Sequence, residues 1–444
     1  MKSVAALRRD LITKRVVRRF LKRNSSMKRR KSLLRAECSD SDICMILGSK
    51  YQPELRSFFR GFADFHFLQS VKQIGKPSDN GFIHQLTYAH RDYSAFAVLK
   101  SSAKKSSDNL MYEHLVGQFL NTKMRLFPNF VETYSMYQYA DDASWDYLKA
   151  TKTPPLDQFK RLLNKTDNAS VAEACQNSKL IAILIQNLPM PAAIPDLALD
   201  DLCSNLFAVF YQVYFALSLL RFTHYDLHEN NVLLYEPAKG KYIQYTYHNP
   251  DGSTTTFKSK YLAKIIDYGR SYFYESDANN SKTVYQDLCR ERACNEYIDP
   301  EEEDKRSKKE KCGDKSGFYW FKFNKNDESN FYIMTTVQNQ SIDLRFWVEC
   351  CKIAQQKLGE SASRVGVEML PWISQKVKYD TEFGTKAMQK CASGQICNVA
   401  EAREYARRTL DATNAMTEAY FAGLTKLGDL HVFADGREFE FVPN

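Results

Sequence analysis

The chain has 444 residues, 44% hydrophobic and 13% aromatic, which is enough apolar surface for two or three packed lobes and excludes a disordered polymer. No uninterrupted apolar run approaches the roughly eighteen residues of a membrane span, and no apolar stretch near the start precedes a small-residue cleavage site, so a soluble, intracellular protein is expected. The net charge of +9 is uneven: residues 1–35 hold fourteen Lys or Arg against the single acid Asp10, a charge of +13 that leaves −4 on the remainder.

The basicity therefore belongs to a tail, residues 1–36, and not to the folded body. Its Leu and Val residues are spaced among Arg pairs, a composition compatible with a basic amphipathic helix that engages nucleic acid, acidic membrane surfaces or an import receptor, and equally with a solvated basic arm that has no dedicated ligand. The same Arg-rich, acid-poor start also matches an organelle transit peptide.

Residues 37–188 read as a β-rich lobe. FLQSVKQIG, GFIHQLTY and SAFAVLK alternate apolar and polar residues, and KPSDN between the first two has turn chemistry. Next, NLMYEHLVGQFLN places Leu110, Leu115, Phe119 and Leu120 on one helical face. NFVETYSMYQY and KLIAILIQNLP read as further strands, separated by a polar stretch, 141–178, taken as an insertion.

After Pro189 the pattern becomes helical, and residues 189–444 read as a second, mainly helical lobe. DLALDDLCSNLFAVFYQVYFALSLLRFTH is apolar nearly all round toward its end, as expected of a central helix. The turn signal NPDG separates two β-rich runs, KYIQYTYH and STTTFKSKYLAKII. Residues 299–316 are charged enough to be a mobile loop. From about Ile342 to Leu427 the periodicity is helical, and HVFADGREFEFV reads as a small hairpin. The eleven cysteines have no repeating spacing, which points to reduced thiols; Cys289, Cys294 and Cys312 lack a fourth ligand, so free thiols are expected there over zinc.

Two acids terminate apolar runs: Asp226 after the long helix and Asp267 after the strand AKII. A buried carboxylate is costly unless paired, hydrogen-bonded or bound to a cation. Asn231 follows Asp226 by five residues, and Gly269 follows Asp267 by two. Asp-x4-Asn, then a hairpin, then Asp-aromatic-Gly is the acidic half of a site for metal-bound nucleotide phosphates.

In these residues the chain resembles the protein-kinase superfamily. AFAVLK, ending in Lys100, is similar to the third-strand Val-Ala-Ile-Lys motif, with Glu113 on the following helix at the place of its partner. IGKPSDNGFI stands where the Gly-rich loop belongs, with Gly75 first, Gly81 last and Ile83 after it; the middle glycine is missing and the loop is one residue longer. His224-Tyr225-Asp226 takes the place of His-Arg-Asp, His228 that of the usual lysine, and Asp343 resembles the buried Asp that supports the catalytic loop. The form His-x-Asp-Leu-His-x-x-Asn is similar both to haspin-like and large-DNA-virus protein kinases and to aminoglycoside- or choline-kinase-like phosphotransferases.

The resemblance implies an α+β, bilobal protein-kinase-like fold with one regulatory helix in the β-rich lobe and an extended activation segment, 267–342. It implies an ATP- and Mg²⁺-dependent serine/threonine kinase acting on protein, in a host cytoplasm or virion of a large DNA virus, and a monomer is expected. In that reading Asp226 accepts the proton of the acceptor hydroxyl, Asn231 and Asp267 hold Mg²⁺, Lys100 held by Glu113 positions the phosphates, and His228 contacts the γ-phosphate. His224 braces the loop, and the nucleotide base lies near Ala97 and the segment from Ile185 to Leu188. Without the arginine of His-Arg-Asp, activity independent of activation-segment phosphorylation is expected. The alternatives are a small-molecule phosphotransferase on the same fold and a pseudokinase or virion scaffold that binds nucleic acid through its tail.

Overall fold

A computed structural model of the chain describes residues 56–78, 81–91, 93–102, 109–165, 180–288, 319–322, 331–361, 363–379 and 394–444. The basic tail, the charged stretch 299–316 and Cys289, Cys294 and Cys312 lie outside these residues.

The chain is α+β and two-lobed, as expected. Its first lobe is a six-stranded sheet in the order β1-β2-β3-β6-β4-β5. The strands are β1 (Leu68–Ser78), β2 (Gly81–His90), β3 (Tyr93–Ser101), β4 (Thr133–Tyr139), β5 (Leu163–Lys165) and β6 (Ile181–Gln186). Alternation of burial along β3 sends Ala95, Ala97 and Leu99 into one core, which also holds Phe58, Phe62, Leu86 and Tyr137, because successive side chains on a strand point to opposite faces.

Helix α1 (Asn109–Lys123) follows β3. It crosses the start of β4 at Gly117, where a Cβ would lie 2.1 Å from Thr133 Oγ1. Asn121 fixes this crossing: its Nδ2 donates to Thr133 O at 2.7 Å and its Oδ1 accepts from Thr133 N at 3.0 Å. The polar stretch taken as an insertion begins with two short helices, α2 (Asp142–Ala150) and α3 (Leu156–Leu162). These send Trp145, Leu148 and Phe159 into the first core. A few apolar side chains at helical spacing suffice for this, though the average composition is polar.

The second lobe is built around α4 (Leu199–Leu220), which buries sixteen residues from Leu202 to Leu217. It is the one described helix long and apolar enough to cross a membrane, but 89% of its apolar window lies inside the protein. Its polar residues serve the irregular backbone beside it. Gln212 donates to Tyr261 O and accepts from Ala263 N, and Asn205 accepts from Ser259 Oγ and Lys260 N. Across from α4, Phe210 stacks on Trp347 at 4.1 Å; full burial of one such ring contributes about 1.5–3 kcal/mol.

Beyond α4, β7 (Val232–Tyr235) pairs with β10 (Leu262–Ile265). The hairpin between them, β8 (Lys241–His248) and β9 (Thr254–Ser259), does not end as a simple hairpin. After α5 (Ser281–Leu288) and the strand pair β11 (Tyr319–Lys322) and β12 (Phe331–Met334) come helices α6 (Arg345–Glu360), α7 (Arg364–Ile373) and α8 (Val399–Phe421). The closing strands β13 (Thr425–Phe433) and β14 (Glu440–Pro443) then join β8 and β9 in the order β14-β13-β8-β9, with β13 parallel to β8. Cys203, Cys350 and Cys351 are buried free thiols. Cys397 is disulfide-bonded, so the expectation of reduced thiols does not hold there.

Candidate functional site

Lys100 stands near the end of β3, in register with Ile83 on β2 and Ile183 on β6. Its Nζ lies 2.7 Å from Glu113 Oε2 and 2.9 Å from Asp267 Oδ1. Glu113 comes from α1 and Asp267 from the end of β10, so three separate elements converge on one ammonium group. Burial alone would lower the Lys100 pKa, but the two carboxylates outweigh it and raise the value. The acids separate: burial pushes Glu113 up to about 7 despite Lys100, whereas Lys100 overrides burial at Asp267 and holds it at about 2. The Asp267 side chain keeps 37% of its surface exposed, so this end of the cluster is open.

The two-residue alternation of β3 corrects one expected contact. Ala97 faces the first core with no exposed surface, on the side of the strand opposite Lys100. The residue two before Lys100, Val98, shares its face. Matching the motif letter by letter selected Ala97; strand periodicity selects Val98.

Above the cluster, Ile74 of β1 and Ile83 of β2 face each other in register and remain 42% and 37% exposed. They are apolar roof residues beside the charged cluster. Gly75 adopts φ +65°, and Gly81 passes so close to β3 that a Cβ would lie 2.3 Å from Ser101 O.

The loop after α4 is held from three sides. Asp343 is buried, and its two carboxylate oxygens accept from His224 N at 2.7 Å and Tyr225 N at 2.9 Å. Burial lifts Asp343 to about 7 in spite of these donors. Burial also lowers the His224 pKa and keeps the imidazole neutral; its Nε2–H donates to Ile266 O at 2.8 Å, just before Asp267. Asn231 Nδ2 donates to Asp226 O at 2.8 Å, and Asn231 O accepts from Ile266 N at 3.1 Å. Asp226, Asn231 and Asp267 are therefore tied together through backbone. Asp267 and Tyr225 both occupy left-handed backbone, φ +67° and +66°, a conformation costly for residues with a side chain and maintained only where surrounding contacts impose it.

Two cations unforeseen in the sequence flank Asp226. Arg270 Nη1 lies 3.0 Å from its Oδ2 and Arg345 Nη1 lies 3.5 Å from its Oδ1. Arg270 follows Gly269 directly and Arg345 lies two residues after Asp343, so adjacency to the motifs was the available signal. Arg345 also reaches Glu349 Oε1 at 2.7 Å. His228 lies in its own tight turn: its Nδ1 accepts from Asn230 N at 3.3 Å and is 3.9 Å from Glu229 Oε2. With Glu349 these two residues form a group whose ligand atoms lie within 4.8 Å of one another.

The donor set fits a hard divalent cation. Asp267 offers carboxylate oxygens on the open side, and Asn231 commits its amide nitrogen to Asp226 O, leaving the amide oxygen for a metal.

No family model matches the chain. It is 25% identical over 207 residues to a probable kinase, 098L, of Invertebrate iridescent virus 3, a match covering 46% of this chain and 32% of that protein. The match thus spans about a third of that relative's length. A crystal structure of a kinase domain shows 14% identity and a TM-score of 0.27 over 52% of this chain and 60% of its own, a likeness too low to carry argument. The chain is thus similar over part of its length to a probable viral kinase, and its own fold is α+β, a six-stranded sheet lobe beside a mainly helical one.

Proposed function

We propose that this chain is an ATP- and Mg²⁺-dependent kinase that transfers the γ-phosphoryl group to a serine or threonine hydroxyl of a protein. The observation that carries the reading is Lys100 bridging Glu113 and Asp267 while Asp226 and Asn231 are tied to the same strand end. Five polar residues from four elements have no structural need to meet there, and phosphoryl transfer needs this set.

In this reading Lys100 binds the α- and β-phosphates, with Glu113 preventing it from collapsing fully onto Asp267. Asp226 accepts the proton of the attacking hydroxyl as its oxygen bonds to the γ-phosphorus and the bond to the β-phosphate oxygen breaks. Arg270 and Arg345 orient the Asp226 carboxylate beforehand. Asn231 and Asp267 would hold Mg²⁺, which supplies charge neutralisation across the β- and γ-phosphates. Ile74, Ile83 and Val98 offer the apolar surface for the base, next to the segment from Ile185 to Leu188, and His228 serves the γ-phosphate. The basic tail suits an acidic target surface or nucleic acid.

The test is purified protein with labelled ATP, Mg²⁺ and, in parallel, casein, histone and choline. Label on serine or threonine of a protein is expected and should vanish in Asp267→Ala. Label on choline, or near-normal transfer by Asp267→Ala, would overturn the proposal.

A further inference from the structure

We infer that Tyr112 is a positioning residue of the transfer site, setting the rotation of α1 and hence the reach of Glu113 toward Lys100. The inference rests on the reading above that Lys100 and Glu113 serve phosphoryl transfer. Tyr112 precedes Glu113 in the chain and has no exposed surface. Its hydroxyl donates to Ser271 O at 2.5 Å and lies 2.8 Å from Ser281 Oγ, and it also engages the side chain of buried Thr335. Ser281 Oγ in turn accepts from Phe273 N at 2.7 Å.

One hydroxyl thus joins α1 to the stretch that leaves Asp267 and to the stretch that returns toward Asp343. The same helical face continues the contact seven and eleven residues on. Phe119 stacks on Phe273 with centroids 4.7 Å apart, and Lys123 pairs with Glu275 at 3.0 Å. Two residues beyond Thr335, the Tyr225 hydroxyl donates to Val337 O at 2.5 Å, while the Tyr225 ring packs with Ile333 and Ile342. The segment is therefore pinned to the helix and to the catalytic loop chiefly by neutral hydroxyls and rings. Buried neutral hydrogen bonds of this kind fix geometry without a charged group being added or removed. It follows that α1 stays in its Lys100-pairing position without phosphate on the segment.

The experiment compares full-length wild type, Tyr112→Phe, Glu113→Gln and the double variant. Steady-state kinetics with ATP and casein are measured with and without prior phosphatase treatment, and amide exchange is followed over residues 271–281. Loss of one buried hydrogen bond corresponds to roughly a tenfold effect, so Tyr112→Phe should lower kcat about tenfold and speed exchange over 271–281. It should add nothing in the Glu113→Gln background, and phosphatase should leave the wild-type rate unchanged. Additive losses, unchanged exchange or abolition of activity by phosphatase would each overturn the inference. If Tyr112→Phe fails to fold, Ser281→Ala removes the partner hydroxyl instead. If wild type labels no acceptor, the functional reading fails on its own, and exchange together with affinity for a fluorescent ATP analogue in the same proteins still decides the coupling.

Discussion

Lys100 lies between two carboxylates with opposite fates, one ionised far below neutrality and one that titrates close to it. Glu113 is raised because it is buried, so as pH falls through about 7 it takes a proton and Lys100 loses one partner. The stability sign is the reverse. The folded state binds this proton more readily than the unfolded chain, so the contribution of Glu113 to stability falls as pH rises from its ordinary value toward 7. Transfer should therefore decline below about pH 7 without unfolding, and Glu113→Gln should flatten that limb; kcat/KM against pH, with a melt at each pH, checks both. Lys100→Met leaves Glu113 buried without its cation, a change that costs about 3–5 kcal/mol when a buried pair is broken. Both transfer and denaturant midpoint are expected to fall, whereas Asp226→Asn should keep nucleotide binding and lose transfer. Measuring binding of a fluorescent ATP analogue separates the two variants.

At the scale of elements, the candidate site depends on where α1 and the loop after α4 are held. Gly117 lets α1 touch β4, and a methyl group there would meet Thr133 Oγ1 at 2.1 Å. Gly117→Ala should cost about 1–3 kcal/mol, as overpacking does, and should displace Glu113 as well, so activity should fall further than stability alone explains. Urea unfolding and kinetics on the same preparation test this. Asp343 satisfies two buried N–H groups of the loop. Each left unpaired costs about 1–3 kcal/mol, so Asp343→Ala should lower the unfolding free energy by several kcal/mol, with Asp343→Asn intermediate. The helical spacing around α1 was legible in the sequence because one face had to be apolar. The contacts of Tyr112 were not, since a tyrosine in such a face reads as core and its hydroxyl partners lie 159 and 169 residues away.

At the scale of the whole molecule, the last strands close a sheet opened by the β8–β9 hairpin between β7 and β10. β13 lies parallel beside β8 and buries Leu430 and Val432 completely. Leu430→Ala should cost about 2–5 kcal/mol, the usual range for emptying a buried leucine site, and circular dichroism melts would register it. The sequence by itself determined the two-lobed α+β plan, because strand and helix periods act locally along the chain, while Lys100, Glu113, Asp226, Asn231 and Asp267 were singled out there by the motifs they resemble. It misplaced Ala97, since motif letters ignore which face of β3 a residue occupies. It passed over Arg270 and Arg345, because an arginine beside a motif is indistinguishable from a surface one until the chain folds back on Asp226. Only the tertiary structure decided the pairing of β13 with β8 and the burial of Trp145 and Phe159 from a polar stretch, and only it brought Lys100 between its two acids. Those contacts join residues far apart in the chain, and their free energy comes from burial and charge pairing that exist only after collapse.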